Sequence, residues 1–200
     1  MKLKKTDTLI IASHNKGKIS EFYALLHGLP FKIKNALELG LNEPKETGST
    51  FTENALLKAR AATEATGYPS IADDSGLVVL ALDGEPGIHS ARWGGPEKDY
   101  KIAMARIENK LKAKKATDFS AKWVCTLAFC LPDGMEAAFT GELAGTLTFP
   151  PRGNDSSGYG PIFIAEGLSQ THAEISRQLR DTLHPRGEAF KKLQRYLNNE

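Results

Sequence analysis

The apolar run Leu9, Ile10, Ile11 and Ala12 constrains the fold more than any other stretch. Set in "DTLIIAS" (7–13), it reads as a buried strand. Ile19, Phe22, Leu25 and Leu26 follow at helical spacing, and "GLP" (28–30) stops the helix. "FKIKN" (31–35) then alternates, the mark of a second strand. A chain that opens strand–helix–strand is expected to be α/β.

The rest of the chain extends this pattern. "NEPKETGST" (42–50) is a polar loop, and Thr50 with Glu53 forms a capping-box pattern. The helix "FTENALLKARAATEAT" follows, apolar at Phe51, Ala55, Ala59 and Ala62. Asn54 and Lys58, four apart, are expected to share one exposed face. "SIADDSGLVVLALDG" (70–84) reads as a strand, a break at the aspartates and another strand. A long loop leads to "YKIAMARIENKLKA", an amphipathic helix with Ile102, Ile107 and Leu111 on one side. Two long alternating segments (118–134 and 135–150) joined at "PDG" predict an antiparallel hairpin. The Gly-rich loop "RGNDSSGYGP" (152–161) leads to a short strand, "IFI". A last helix starts near Pro185 and carries Phe190, Leu193 and Leu197. No internal repeat is present, and the expectation is one domain over 1–200, with two lobes sharing a sheet.

Bulk properties exclude several classes. Two hundred residues can bury a substantial core. A net charge of +2 gives no reason to expect nucleic-acid binding or membrane attraction. "LIIA" is too short for a signal-peptide core, and no stretch approaches the ~18 apolar residues of a membrane span. Cys125 and Cys130, both in "WVCTLAFCL", read as reduced core residues and point to the cytoplasm. No HExxH spacing supports zinc, no GxSxG a serine nucleophile, and no GxxxxGK[ST] a P-loop.

Four motifs carry chemistry. "SHNKGK" (13–18) sits where a strand meets a helix, and free backbone N–H groups with Asn15, Lys16 and Lys18 suit phosphate. "ADDSG" (72–76) offers two carboxylates to a hard cation, one to hold the ion and one to orient a water. Glu46 in "KETG" is a further carboxylate, and Lys58 a further cation. Each motif alone has an ordinary structural use: a helix cap, an Asx turn, a solvated loop or a surface lysine. In this order they supply what a Mg²⁺-dependent attack on a polyphosphate needs.

The set resembles the inosine/xanthosine triphosphate pyrophosphatase family. The matching stretches are "SHNKGKISEF", "ETGSTFTENALLKARAA", "IADDSGLVVLALDGEPGIHSARW", "PPRG" and "AFKKL". The resemblance implies a long twisted mixed sheet with two α/β lobes flanking a central cleft, usually as a homodimer. It implies Mg²⁺-dependent hydrolysis of non-standard purine nucleoside triphosphates (ITP, dITP, XTP) to monophosphate and pyrophosphate. Carried over, Asn15 and Lys18 bind triphosphate with Ser13 nearby, Glu46 and Asp73 hold Mg²⁺, and Asp74 activates water. Lys58 contacts phosphate, and Ser75 lines the same turn beside Gly76. Arg180 stands where the family commonly has Lys.

The base-binding positions depart from the family pattern. Its Gly-Phe-Gly-Tyr-Asp-Pro loop reads "SSGYGP" (156–161) here, so Ser157 replaces a stacking aromatic and Gly160 an aspartate, with Tyr159 between them. Its Ser-His-Arg reads His184, Pro185, Arg186. A lost base stack removes about 1–3 kcal/mol of binding. Two alternatives therefore stand beside inosine/xanthosine preference. One is the same reaction with altered or broad base choice, and the other is a non-catalytic nucleotide-binding protein.

Overall fold

A computed structural model describes residues 8–154 and 158–198, the side chain of Asn198 excepted. Six strands form one sheet in the order β2-β1-β3-β4-β5-β6. They are β1 (Thr8–Ile11), β2 (Lys32–Asn35), β3 (Ser70–Val79), β4 (Ser120–Cys130), β5 (Glu136–Leu147) and β6 (Phe163–Ala165). The helices are α1 (Lys16–Leu26), α2 (Phe51–Thr66), α3 (Tyr100–Ala113), α4 (Arg177–Leu183) and α5 (Pro185–Asn198). β1 pairs in parallel with both β2 and β3, whereas β5 and β6 are antiparallel, so the sheet is mixed. Among the described residues no helix is long and apolar enough to cross a membrane.

The chain divides into two compact units. Among the described residues, the first holds 8–74, 126–140 and 188–198; the second holds 75–125, 141–154 and 158–187. In the first unit, β1 is flanked by β2 on one side and β3 on the other. The β1–α1–β2 and β2–α2–β3 connections therefore run in opposite lateral directions. Right-handed crossovers then put α1 and α2 on opposite faces of the sheet.

Small residues set how closely α2 approaches. Ala55, Ala59 and Ala62 pack on Ile10, Ala12, Ala72, Ala128 and Cys130. Thr50 caps the helix, its Oγ1 accepting from Glu53 N at 3.1 Å. The reciprocal bond of the expected capping box shifts by one residue: Glu53 Oε2 accepts from Ser49 N at 2.6 Å. At the far end Gly67 takes a left-handed φ of 70°, closing the helix as a glycine can. Ser70 Oγ donates to Ala59 O at 2.6 Å, tying the start of β3 to the helix. The second unit has its own core, in which Leu77, Val79, Trp93, Ile107, Leu147, Tyr159 and Phe163 pack together.

The structure corrects three expectations. β3 runs unbroken from Ser70 to Val79 through both aspartates, because their carboxylates meet lysines instead of forcing a turn. Ile102 is 57% exposed, and α3 buries Ala103, Met104, Ile107 and Leu111 instead. Asn54 and Lys58 are buried, not exposed. The expected hairpin forms as β4 and β5, and both cysteines are buried free thiols. Burial pushes the Cys130 thiol up to about 11.

If close packing by alanines sets the seat of α2, a larger residue there forces strain. Ala59→Leu is expected to destabilise the protein by about 1–3 kcal/mol, read from the midpoint of urea unfolding.

Candidate active site

Successive strand residues point to opposite faces of a sheet. In β3 this divides the two aspartates between two helices. Asp73 meets Lys18 of α1, with its Oδ2 3.0 Å from Nζ. Asp74 shares the face of Ala72 and meets α2: its Oδ1 lies 3.5 Å from Lys58 Nζ. Both aspartates are buried, Asp73 at 2% and Asp74 at 5% exposure. They stand just beyond Ile71, the residue in register with Ile11 at the end of β1. In open α/β sheets ligands bind outside the carboxyl ends of strands where the strand order reverses. β1 and β3 meet at such a point.

The turn after β1 supplies the other half of this face. Ser13 Oγ accepts from Asn15 N at 3.2 Å, and Asn15 Oδ1 caps α1 by accepting from Lys18 N at 3.1 Å. No acidic residue lies in the first turn of α1, so its positive end is not neutralised from within the helix. His14 Nε2 donates to Leu41 O at 2.7 Å, holding the turn against the segment that precedes the 42–50 loop.

That loop brings in Glu46. Its Oε1 accepts from Lys58 Nζ at 2.6 Å, so one ammonium group serves Glu46 and Asp74. Asn54, fully buried one helical turn before Lys58, donates from Nδ2 to Asp74 Oδ2 at 3.3 Å and accepts from Gly48 N at 2.9 Å. The sequence carries no signal for either contact beyond the Asn54–Lys58 spacing. An Ala-rich helix has little apolar contrast, which hides the fact that its polar stripe faces inward.

The electrostatics follow from burial and neighbours. Burial opposes charge on Lys58, but Asp74, Asp73 and Glu46 together outweigh it and hold its pKa above the usual lysine value. Asp74 is moved the other way. Loss of water pushes its carboxyl above the ordinary range and Glu46 adds to this, while Lys58, Lys18 and Asn54 only partly offset it. Lys58 feels three carboxylates, two of them paired with it directly, whereas Asp74 must share its lysine with Glu46.

The remaining predicted positions lie in the second unit. Ser75 is half-buried in β3. The Tyr159 expectation needs correcting: it is 2% exposed, its hydroxyl donates to Ser90 O at 2.7 Å, and its ring meets Tyr100 edge-on. A side chain so enclosed belongs to the core and offers no face to a base. Gly160 is buried and accepts from Ala173 N at 3.2 Å. His184 ends α4, accepts from Arg186 N at 3.1 Å through Nδ1 and lies 6.1 Å from the Trp123 ring. Arg186 is 3% exposed, and burial lowers its guanidinium to about 10. Arg180 is half-buried in α4. Ser157 lies outside the described residues.

Comparison with known proteins settles the family. The Ham1 family pattern matches residues 9–196. The chain belongs to the Ham1 family. It is 50% identical over 190 residues to a dITP/XTP pyrophosphatase of Rhodospirillum centenum, covering 94% of this chain and 93% of the relative. It is 48% identical over 185 residues to the enzyme of that name from Caulobacter vibrioides, covering 92% and 95%. A solved HAM1 protein from Coxiella burnetii superposes with a TM-score of 0.90 at 33% identity, covering 96% and 99%. The Ham1 protein of Staphylococcus aureus gives 0.87 at 37% identity, covering 96% and 98%. The α/β fold with its mixed sheet, expected from the sequence, is thus the fold of Ham1 proteins.

The raised Asp74 carboxyl has a consequence for stability. A carboxyl whose folded pKa lies above its unfolded value of about 3.9 costs nothing below that value. The cost grows as pH rises through the folded pKa. In chelator, Asp74→Asn is therefore expected to be more stable than the parent at about pH 7, and the gain should vanish near pH 3. Urea unfolding at both pH values checks this.

Proposed function

We propose that this Ham1 chain hydrolyses triphosphates of deaminated purine nucleosides (ITP, dITP and XTP) to the monophosphate and pyrophosphate, with Mg²⁺ as cofactor. The observation that carries the reading is the alternation of charge at the end of β1 and β3, built around two buried aspartates. Lys18 faces Asp73, and Lys58 faces Glu46 and Asp74. The names of the relatives support the substrate class.

The residues fit a hard cation. Among the described residues no three His, Cys, Asp or Glu side chains converge as a ready-made metal shell. Mg²⁺ asks less than that: one or two carboxylates, completed by water and substrate phosphates. Glu46 and Asp73 offer hard oxygen donors of this kind and would hold it. Bound there, Mg²⁺ would neutralise charge on the triphosphate.

The chain's own groups do the rest. Ser13, Asn15 and Lys18 shape a turn whose N–H groups and ammonium bind phosphate oxygens. Ser75 and Arg180 are assigned further phosphate contacts. Asp74 takes the proton of the attacking water, and its raised pKa makes it a stronger base than an ordinary aspartate. Lys58, held charged, stabilises negative charge as it develops. His184, Gly160, Arg186 and the Ser157 segment are assigned to the base.

A second reading keeps the reaction and broadens the base choice. It is favoured by Tyr159 and Phe163, the aromatics nearest in sequence to Ser157, because both are committed to the core. We also read the protein as a cytoplasmic homodimer without a nucleic-acid partner. Its near-neutral charge and two buried free thiols support the compartment and the missing partner, and the family resemblance supports the dimer.

The test is pyrophosphate release in Mg²⁺ from ITP, dITP, XTP, ATP, GTP and dUTP, with Asp74→Asn as control. The expected outcome is a preference of at least about tenfold for the first three, and a control slower by about 10²-fold or more. Flat turnover across bases favours the second reading. No release from any triphosphate overturns the pyrophosphatase assignment.

A further inference from the structure

Asn54, one turn before Lys58, makes a second link between the 42–50 loop and Asp74, and it grips the loop by its backbone at Gly48 where Lys58 takes the Glu46 side chain. Its carboxamide has one acceptor oxygen and one donor nitrogen. A backbone N–H can only donate, so the oxygen must face Gly48 N, at 2.9 Å. The nitrogen is then turned to Asp74 Oδ2, at 3.3 Å, and an ionised carboxylate can only accept. The chemistry of the two partners thus fixes the orientation of the amide. Asp74 receives Asn54 on one oxygen and Lys58 on the other, which sets the plane of its carboxylate.

The 42–50 loop needs such a tie. Residues 41–48 have no regular structure. A cavity of about 570 Å³ opens beside the loop, lined by Pro44, Lys45, Thr47 and Gly48 together with Leu56 and Arg60. The neighbours of Glu46 on both sides therefore line open space. Gly48 lies against the start of α2: a Cβ there would fall 2.6 Å from Glu53 Cβ and 2.7 Å from Asn54 Oδ1. Only a glycine lets the loop come this close.

We propose that Asn54 is a positioning residue that sets the Glu46 loop and the Asp74 carboxylate at a fixed separation, with Gly48 as the contact it grips. The proposal rests on the reading of Asp74 as the base that activates water. Asn54 touches no substrate in this account and acts through Asp74 and the loop. Misplacing a reacting group by about 1 Å costs on the order of 10²-fold in rate.

Two variants separate its two bonds. Asn54→Asp keeps an oxygen for Gly48 N but replaces the donor to Asp74 with a second carboxylate. Asn54→Ala loses both. ITP hydrolysis in saturating Mg²⁺ is measured for these, the parent and Asp74→Asn, alongside thermal unfolding. Asn54→Asp is expected to lose about 10²-fold or more in kcat of the folded protein with KM changed less than about threefold, and also to lower Tm, because it buries a second carboxylate beside Asp74. Asn54→Ala is expected to lose kcat and also to raise KM, because the Glu46 loop is released. A merely structural asparagine would lower Tm and leave kcat of the folded fraction unchanged, and that result overturns the proposal. An active Asp74→Asn overturns the underlying reading and the proposal with it. A dead Asp74→Asn beside a fully active Asn54→Asp overturns the proposal alone.

Discussion

One ammonium group organises the candidate site. Lys58 Nζ lies 2.6 Å from Glu46 and 3.5 Å from Asp74, and all three side chains are partly or wholly withdrawn from water. Without that cation, two carboxylates would face each other across a buried gap. Removing the shared cation is strongly destabilising, because it strands both carboxylates. The pairing therefore holds the loop, helix α2 and strand β3 to one another while it keeps charge concentrated at the end of the sheet. Such charge has little use in a core and clear use against a polyphosphate.

The rest of the first unit serves this arrangement. Reversal of strand order at β1 puts α1 and α2 on opposite faces. Alternation along β3 then gives Asp73 to Lys18 and Asp74 to Lys58. A shift of one residue in that strand would exchange the aspartates between faces and break both pairs. The alanines of α2 bring its polar stripe within reach of β3, and the Thr50 cap starts the helix at the point that seats Asn54 and Lys58.

Much of this was legible before any coordinates. The first two strands, four helices, the hairpin and the short strand after the Gly-rich loop all appear close to where periodicity and turn residues put them. Glu46, Lys58, Asp73, Asp74 and Lys18 were singled out, and the structure brings them together in ion pairs. What stayed hidden had a physical reason. The Asp pair looked like a break because adjacent carboxylates repel, and only the two lysines, 55 and 16 residues away in sequence from Asp73 and Asp74, make a continuous strand tolerable. Asn54 and Lys58 looked solvated because polar residues on a weakly amphipathic helix usually are. Tyr159 sits in a loop that the family resemblance implies for base recognition, yet its hydroxyl and ring are used up by Ser90 and Tyr100, contacts made across the fold of the second unit.

The central claim is that Glu46 and Asp73 form a cation site beside the Asp74 base. Binding of Mn²⁺, followed by electron paramagnetic resonance as a stand-in for Mg²⁺, tests it most directly. The account predicts one bound ion in the parent protein, with affinity lower by at least about tenfold in Asp73→Asn and in Glu46→Gln, since even outer-shell losses cost 10–100-fold. Equal affinity in all three proteins would contradict it.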